Sequence, residues 1–229
     1  MDKSLKFFMH IPKTGGTTFR HILYNYYTEN EVFPNQSLLK SEFSGSYPDR
    51  KEFVNIVNLK KRQSKIICGH YNYDTQSLLS SNYKTITFIR NPLNRFISHI
   101  GHLQRTNNYK DINEYFKTNW TYLLRMQSRF LGFNYQKPNW SKIDETIENI
   151  SFIGINEQFD LSIKLYNNIF GAELRNLNKK NATQNKLSYE MFSYINQAEV
   201  IRHLAQEIKI YNKCLKKFNQ QIKQYNLSE

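Results

Sequence analysis

Short apolar runs alternate with longer amphipathic stretches along this chain. Four runs have the length and composition of buried strands: 5–11, 65–68, 84–89 and 151–155. Elsewhere apolar residues recur every three to four positions, which predicts helices at 18–27, 51–62, 92–104, 111–118, 121–131, 141–149 and 159–170. Alternation of strands and helices is typical of α/β proteins. We therefore predict a three-layer domain with a mainly parallel central sheet flanked by helices.

The number of domains can be predicted from the repeats and linkers that a sequence contains. The sequence has no repeat and no long Gly-, Ser- or Pro-rich linker, which predicts a single domain over 1–229. The polar residues 28–50 predict a long surface excursion. An apolar stripe predicts an amphipathic helix at about 197–225, formed by Ile201, Leu204, Ile208, Tyr211, Leu215, Phe218 and Ile222. We expect this helix to pack on the domain, and a homodimer joined through the stripe is a second hypothesis.

Composition and charge narrow the classes of partner. Hydrophobic residues make up 39% of the chain and aromatic residues 15%. This content is enough to form a sizeable core, and it argues against a disordered chain. Lys and Arg outnumber Asp and Glu by 32 to 19, which gives a formal net charge of +13. This excess favours polyanionic partners, which include nucleotides, nucleic acids, anionic glycans and an anionic membrane surface.

Cysteine usage and the first residues predict a cellular compartment. Cys68 and Cys214 lie far apart and form no CxxC pair, so we expect two buried free thiols in a reducing compartment. The first residues lack the apolar stretch of a signal peptide, and no later run approaches membrane-spanning length. We therefore expect a cytoplasmic protein.

The turn after the first strand carries the clearest chemistry, and residues 12–18 read PKTGGTT. A strand, a glycine turn and a helix start together form an anion site, because helix N–H groups and the helix dipole face the ligand. Gly15 and Gly16 let an oxyanion approach the backbone. Lys13 adds a positive charge, and the threonines that follow add hydroxyl donors. Because the lysine precedes the glycines, this is not a Walker A motif.

Two segments resemble one known family. Residues 8–18, FMHIPKTGGTT, resemble the 5′-phosphosulfate-binding loop of sulfotransferases that use 3′-phosphoadenosine 5′-phosphosulfate (PAPS). Residues 87–99, TFIRNPLNRFISH, are similar to the 3′-phosphate element of the same family. The match is closest to the branch with heparan sulfate 2-O-sulfotransferases and related bacterial proteins. Weaker similarity at 127–132 and 152–159 extends the resemblance to about residue 185.

The resemblance implies a P-loop-like fold, PAPS as donor, 3′-phosphoadenosine 5′-phosphate (PAP) as product, and no metal. The donor-binding residues that it implies are Lys13, Thr14, Gly15, Gly16, Thr17, Thr18, Arg90 and Ser98. The planar guanidinium of Arg90 suits phosphate oxygens, and Ser98 lies early in the helix that follows. Arg95 is either a further phosphate ligand or a residue that fixes this helix against the sheet.

Sulfuryl transfer is an in-line displacement, so we expect Lys13 to stabilise the sulfate and the leaving oxygen. The acceptor hydroxyl needs a base. His70 follows the predicted strand 65–68, and the family branch has a similar Gly-His element whose histidine is the general base, so His70 is the candidate. A purely structural His70 is the alternative, with Glu42 or Asp49 as the base. Cys68 stands where some relatives have another histidine.

The resemblance also implies a carbohydrate or glycolipid hydroxyl as acceptor. We expect residues 28–50 and 105–140 to form its walls, with Trp120 and Trp140 either stacking on sugar rings or packing in the core. The competing hypotheses are a P-loop small-molecule kinase using ATP, a basic nucleic-acid-binding module and a catalytically inactive sulfotransferase-like binder. The sequence contains no Gly-Lys-Ser/Thr, which counts against the kinase. It contains no recognised nucleic-acid-binding motif, so we expect no nucleic-acid partner. A peripheral contact with an anionic membrane surface would also suit the charge.

Overall fold

A five-stranded parallel sheet lies at the centre of the computed structural model, which describes residues 4–43, 46–59, 64–106, 112–175 and 197–227. The strands are, in chain order, β1 (Leu5–Met9), β2 (Val32–Phe33), β3 (Ile66–Gly69), β4 (Tyr83–Ile89) and β5 (Phe152–Ile155). Their order across the sheet is β2-β3-β1-β4-β5, and all four neighbouring pairs are parallel. The predicted α/β class with a parallel sheet is confirmed.

The described α-helices are α1 (Gly16–Tyr26), α2 (Gln36–Ser41), α3 (Arg50–Leu59), α4 (Pro92–Thr106), α5 (Ile112–Leu124), α6 (Met126–Phe130), α7 (Trp140–Asn149), α8 (Phe159–Phe170) and α9 (Gln197–Gln224). Consecutive side chains of a strand point to opposite faces of the sheet. Phe7 of β1 packs on Phe53 of α3, whereas the adjacent Phe8 packs on Phe19 of α1. Both strand residues are fully buried, so helices cover both faces of the sheet.

Residues 28–50 differ from the predicted surface excursion because they contain β2 and α2. Val32 pairs with Ile66 and Phe33 with Ile67, which places β2 at one edge of the sheet. A strand of two residues is too short to show an alternating pattern, and therefore hydrophobic periodicity does not predict it.

The C-terminal helix α9 packs on the domain through most of the predicted stripe: Phe218 is buried, and the half-buried side chains that pack against the core are Leu204, Tyr211, Leu215 and Ile222. Its buried residues are His203, Glu207, Ile210, Cys214, Lys217 and Phe218. Within the predicted stripe, Ile201 is 67% exposed and Ile208 is 39% exposed. The buried lysine is tolerated because Nζ of Lys217 donates to the carbonyl oxygen of Ile147 at 2.8 Å. Pairing of two copies through the stripe stays a prediction.

The strand order fixes where the functional loops meet. β1 lies between β3 and β4, so the loops after these three strands emerge side by side at the carboxyl edge of the sheet, where α/β proteins bind ligands. Cys68 and Cys214 are both buried and free, as expected. Among the described helices, none combines the length and apolar character that crossing a membrane requires.

Candidate active site

The loop between β1 and α1 is a tight turn at this edge. Its backbone enters the left-handed region at Lys13 (φ 68°) and at Gly15 (φ 89°), which is the N-cap of α1. In the described part of the chain no side-chain hydrogen bond caps α1, and no acidic residue occupies its first turn. The first N–H groups of α1 and the positive end of its dipole are therefore available to an anion.

The threonines of this loop have different surroundings. Thr14 is buried, and its Oγ1 donates to the carbonyl oxygen of Ile11 at 2.9 Å, so its hydroxyl stabilises the turn. Thr17 is exposed and Thr18 is half-buried, both in the first turn of α1. Thr14 can therefore offer a ligand only its backbone, whereas the two later threonines keep their hydroxyls at the helix start.

The two glycines are also required by packing beneath the loop. A Cβ on Gly16 would lie 2.1 Å from Cδ2 of His10, and a Cβ on Gly15 would lie 2.4 Å from Oδ1 of Asn156. Neither distance is compatible with van der Waals contact. The glycines thus permit close approach of the imidazole on one side and of an anion on the other.

Arg90 follows β4, the neighbour of β1, and reaches the same loop. Its Nη1 donates to the carbonyl oxygen of Lys13 at 3.3 Å. Its Nε–H is buried and has no hydrogen-bond partner among the described residues. A phosphate oxygen would satisfy such a donor. α4 begins directly after this residue, at Pro92, and carries the half-buried Ser98 in its second turn.

Positive charge accumulates around the loop. Burial, and then the charges of Arg105, Arg90 and Arg95, lower the pKa of Lys13. Within the described ranges, Lys13 forms no ion pair with a carboxylate. The resulting surplus of positive charge suits a ligand with several negative charges.

His70 lies directly after β3, on the other side of β1. Its Nδ1 lies 2.7 Å from the carbonyl oxygen of His10. Because a carbonyl oxygen can only accept, Nδ1 carries the hydrogen and Nε2 presents a lone pair. The residue is exposed to the adjoining cleft, while desolvation of the rest of its ring lowers its pKa from 6.5. The imidazole is therefore neutral near pH 7 and can accept a proton.

Tyr47 and His10 support this histidine, and the sequence did not indicate that either residue contacts it. The rings of His10 and Tyr47 have centroids 4.5 Å and 4.7 Å from that of His70. Nδ1 of His10 lies 3.1 Å from the hydroxyl oxygen of Tyr47, to which Nη1 of Arg20 donates at 3.0 Å. Burial, and then the charge of His70, holds the pKa of His10 well below 6.5. Two neutral rings thus fix the orientation of His70.

A cleft of about 870 Å³ opens next to His70. It is lined by three arginines and four tyrosines, namely Arg50, Arg125, Arg129, Tyr71, Tyr115, Tyr122 and Tyr135. Arg125 lies over the ring of Tyr135 at 4.2 Å, and Arg129 lies over the ring of Tyr122 at 4.0 Å. The aromatic rings hold both guanidinium groups in place, so the wall of the cleft is preorganised for an acidic ligand.

The cleft matches the expected acceptor walls only in part. Most of the lining comes from residues 115–136, and the range 28–50 contributes only Arg50 to the described lining. Trp120 is 8% exposed and belongs to the core, whereas Trp140 is half-buried and packs on Phe133; neither is in the described lining of the cleft. Asp49 is exposed and accepts a hydrogen bond from the backbone N–H of Glu52, at the start of α3. The alternative bases Glu42 and Asp49 are both absent from the described lining.

Comparison with known proteins assigns the chain to a family. Residues 2–220 match the family model described as the sulfotransferase family. The chain belongs to the sulfotransferase family. Its sequence is 36% identical over 104 residues to heparan sulfate 2-O-sulfotransferase hst-2 of Caenorhabditis elegans, a match that covers 44% of this chain and 32% of the relative. The chain thus spans about a third of the length of that relative.

A solved sulfotransferase shows the same fold. The crystal structure of a sulfotransferase from Alicyclobacillus acidocaldarius superposes with a TM-score of 0.51 at 10% identity, covering 94% of this chain and 96% of the other. At this identity the likeness supports the fold alone. The predicted family and the P-loop-like α/β fold are both confirmed, whereas the roles of individual residues stay predictions.

Arg95, on α4, is held by contacts to other groups of the protein. It is fully buried, and its Nη2 donates to the carbonyl oxygen of Leu123. Its Nη1 donates to Nδ1 of His99 at 3.2 Å. Nδ1 of His99 is therefore an acceptor and the ring hydrogen lies on Nε2, while burial and Arg95 lower the pKa of His99 to about 3. Of the two alternatives for Arg95, these contacts favour fixing α4, although the partner Leu123 lies on α5 and not in the sheet.

Proposed function

We propose that this protein transfers a sulfuryl group from PAPS to a hydroxyl of a carbohydrate or glycolipid. One observation carries the proposal. The cationic loop with Lys13, the unpartnered guanidinium N–H of Arg90 and the proton-accepting His70 all lie where β1, β3 and β4 end, beside the cleft. A donor with two separate anionic groups and an acceptor hydroxyl can therefore meet there.

The residues around the loop fit PAPS by charge and donor type. The uncapped start of α1, the hydroxyls of Thr17 and Thr18 and the ammonium of Lys13 suit the 5′-phosphosulfate. Arg90 and Ser98 suit the 3′-phosphate, because the buried Nε–H lacks a partner among the described residues. PAPS supplies the sulfuryl group, and its bond to the 5′-phosphate oxygen breaks as the acceptor oxygen bonds to sulfur. No role for a metal follows from this chemistry.

His70 is the proposed general base. Its Nε2 lone pair faces away from the Nδ1–H that the carbonyl oxygen of His10 holds, so it can take the proton of the acceptor hydroxyl. His99 is the opposite tautomer: its Nδ1 accepts from Arg95, so its ring hydrogen is on Nε2. Both histidines line the cleft, one as hydrogen-bond acceptor and one as donor.

The cleft and one relative support a carbohydrate acceptor. Tyrosine rings can stack on sugars, and the two arginines held over tyrosine rings suit acidic groups on the same chain. The matched relative from Caenorhabditis elegans is named a heparan sulfate 2-O-sulfotransferase. A peripheral contact with an anionic membrane, a homodimer, a single domain and a cytoplasmic location stay predictions.

Thermal unfolding with different nucleotides tests the donor. PAP at about a hundred times its dissociation constant should stabilise the folded state by about 2.7 kcal/mol. For a chain of this size, we expect Tm to rise by about 5–10 °C. ADP and ATP with Mg²⁺ should produce smaller shifts at the same concentration. A shift with ATP and Mg²⁺ alone would contradict the proposal in favour of a kinase, and equal shifts with all three would leave no specificity for the 3′-phosphate.

Arg90→Ala should weaken PAP binding by about tenfold or more, because a charge-assisted contact to the 3′-phosphate is lost. AMP lacks that phosphate, so its affinity should change much less. Titration calorimetry with both nucleotides measures the difference. Arg202→Ala is the matched control, since the exposed Arg202 on α9 carries the same charge. Equal losses for PAP and AMP would show that Arg90 does not contact the 3′-phosphate.

A further inference from the structure

The side chain of Gln127 binds the backbone of Arg90 on both sides. Its Oε1 accepts from the N–H of Arg90 at 2.8 Å, and its Nε2 donates to the carbonyl oxygen of Arg90 at 2.9 Å. Gln127 is 1% exposed, so water does not compete for these bonds. One amide thus occupies both backbone groups of the residue at which the chain leaves β4.

Among the described residues, this double hydrogen bond lies one residue past the last pair of the β4–β5 ladder. β4 ends at Ile89, whose pairing with Ile155 is the last in the register with β5. Arg90 therefore lies outside the ladder, and its peptide groups need other partners. The amide of Gln127 supplies them and replaces one further step of strand pairing. The direction in which the Arg90 side chain leaves the backbone is thereby fixed.

The helix that carries Gln127 is itself anchored. The next residue, Ser128, donates its backbone N–H to Oε1 of Glu207 on α9 at 3.3 Å. The hydroxyl of Tyr135 donates to the same oxygen at 2.7 Å. Glu207 is 1% exposed and accepts from a backbone N–H in the first turn of α6, so it ties this helix to α9. Gln127 is therefore a rigid support and not a side chain that merely follows Arg90.

We propose that Gln127 is a positioning residue for recognition of the 3′-phosphate, an inference that rests on the proposed function. In this proposal Gln127 acts through Arg90. The guanidinium of Arg90 donates to the carbonyl oxygen of Lys13 at 3.3 Å, and its buried Nε–H has no partner among the described residues. By holding the backbone of Arg90, Gln127 keeps the guanidinium in the position where this N–H can bind the phosphate. The weak similarity at 127–132 assigns no role to any residue by itself. The structure assigns the positioning role to Gln127, the first residue of that segment.

The test compares Gln127→Met with Gln76→Met. Methionine keeps the length of glutamine and removes its hydrogen bonds. Gln76 is a matched control because its Nε2 donates to the carbonyl oxygen of Tyr83 at 2.7 Å and its Oε1 accepts from the hydroxyl of Thr85. Both glutamines thus bind β4, Gln76 at its amino end and Gln127 just past its carboxyl end. The readout is the ratio of the dissociation constants of AMP and PAP by calorimetry.

We expect Gln127→Met to lower this ratio by about tenfold, because binding of PAP weakens and binding of AMP changes little. Gln76→Met should leave the ratio unchanged within about twofold even if it lowers Tm equally. In Arg90→Ala the ratio is already low, and adding Gln127→Met should reduce it no further, because both residues act on one contact. If Gln127→Met does not fold, Gln127→Asn, which is too short to bridge both backbone groups, should show the same selective loss.

Other outcomes overturn the inference in distinguishable ways. An unchanged ratio in the Gln127 variants, or equal losses for PAP and AMP, would exclude a positioning role while the donor assignment stands. An additive loss in the double variant would show that Gln127 does not act through Arg90. If the unmodified protein itself shows no preference for PAP over AMP, the proposed function fails and this inference fails with it.

Discussion

Lys13→Ala is expected to lower the rate of sulfuryl transfer by about a hundred- to a thousandfold. The ammonium of Lys13 is the positive charge nearest to the start of α1 in sequence, and we expect it to stabilise charge on the sulfate and the leaving oxygen. Because this charge develops in the transition state, the affinity for PAP should fall much less than the rate. Transfer of labelled sulfate from PAPS to an acidic polysaccharide, with calorimetry of PAP, measures both.

Lys13→Ala adds no strain to the backbone. Lys13 has φ 68°, a conformation in which any residue with a Cβ is strained, and alanine keeps that Cβ. Lys142→Ala is a suitable control, because Lys142 is exposed on α7 and its loss changes the net charge equally. Nearly normal activity of Lys13→Ala, with Lys142→Ala also active, would remove Lys13 from the mechanism.

His70→Ala is expected to lower the transfer rate by about a hundred- to ten-thousandfold, the usual contribution of a general base. PAP affinity should stay nearly unchanged, because His70 follows β3 and lines the acceptor cleft. His21→Ala, on the exposed side of α1, is the control. A fully active His70→Ala would move the base to another group in the cleft.

The pH profile separates a base from a positioning role. Burial lowers the pKa of His70 from 6.5, so the neutral, active form is complete at pH 7 and is lost only as the pH falls below 6.5. We expect kcat/KM to decline on this acidic side. In His70→Ala the residual rate should lose that decline. A decline that persists unchanged in the variant would show that another group titrates.

Much of the fold is predictable from the sequence because the relevant signals are local. β1 and β4 are short runs rich in apolar and β-branched residues, and the glycine turn after β1 predicts an anion site. Arg90 is identifiable because it follows β4 directly and precedes Pro92, which starts α4. Strand, turn and helix start are adjacent in the chain, so their chemistry is visible as a short motif.

Contacts between distant segments leave no such signal. Tyr47 lies in a range whose polar residues predict a surface excursion, yet its ring packs on His70. Gln127 lies 37 residues from Arg90, and nothing in either segment predicts that they are paired. The buried face of α9 also includes polar residues such as Glu207, which hydrophobic periodicity does not reveal.

The sequence by itself thus determined the sheet class, and it predicted the donor loop with the candidates Lys13, Arg90 and His70. Only the tertiary structure decided which groups hold these candidates: Tyr47 and His10 contact the ring of His70, and Gln127 binds the backbone of Arg90. The physical reason is that a hydrogen bond from a side chain to a remote backbone depends on where two elements meet in space. Local pattern fixes the elements, and packing fixes where they meet.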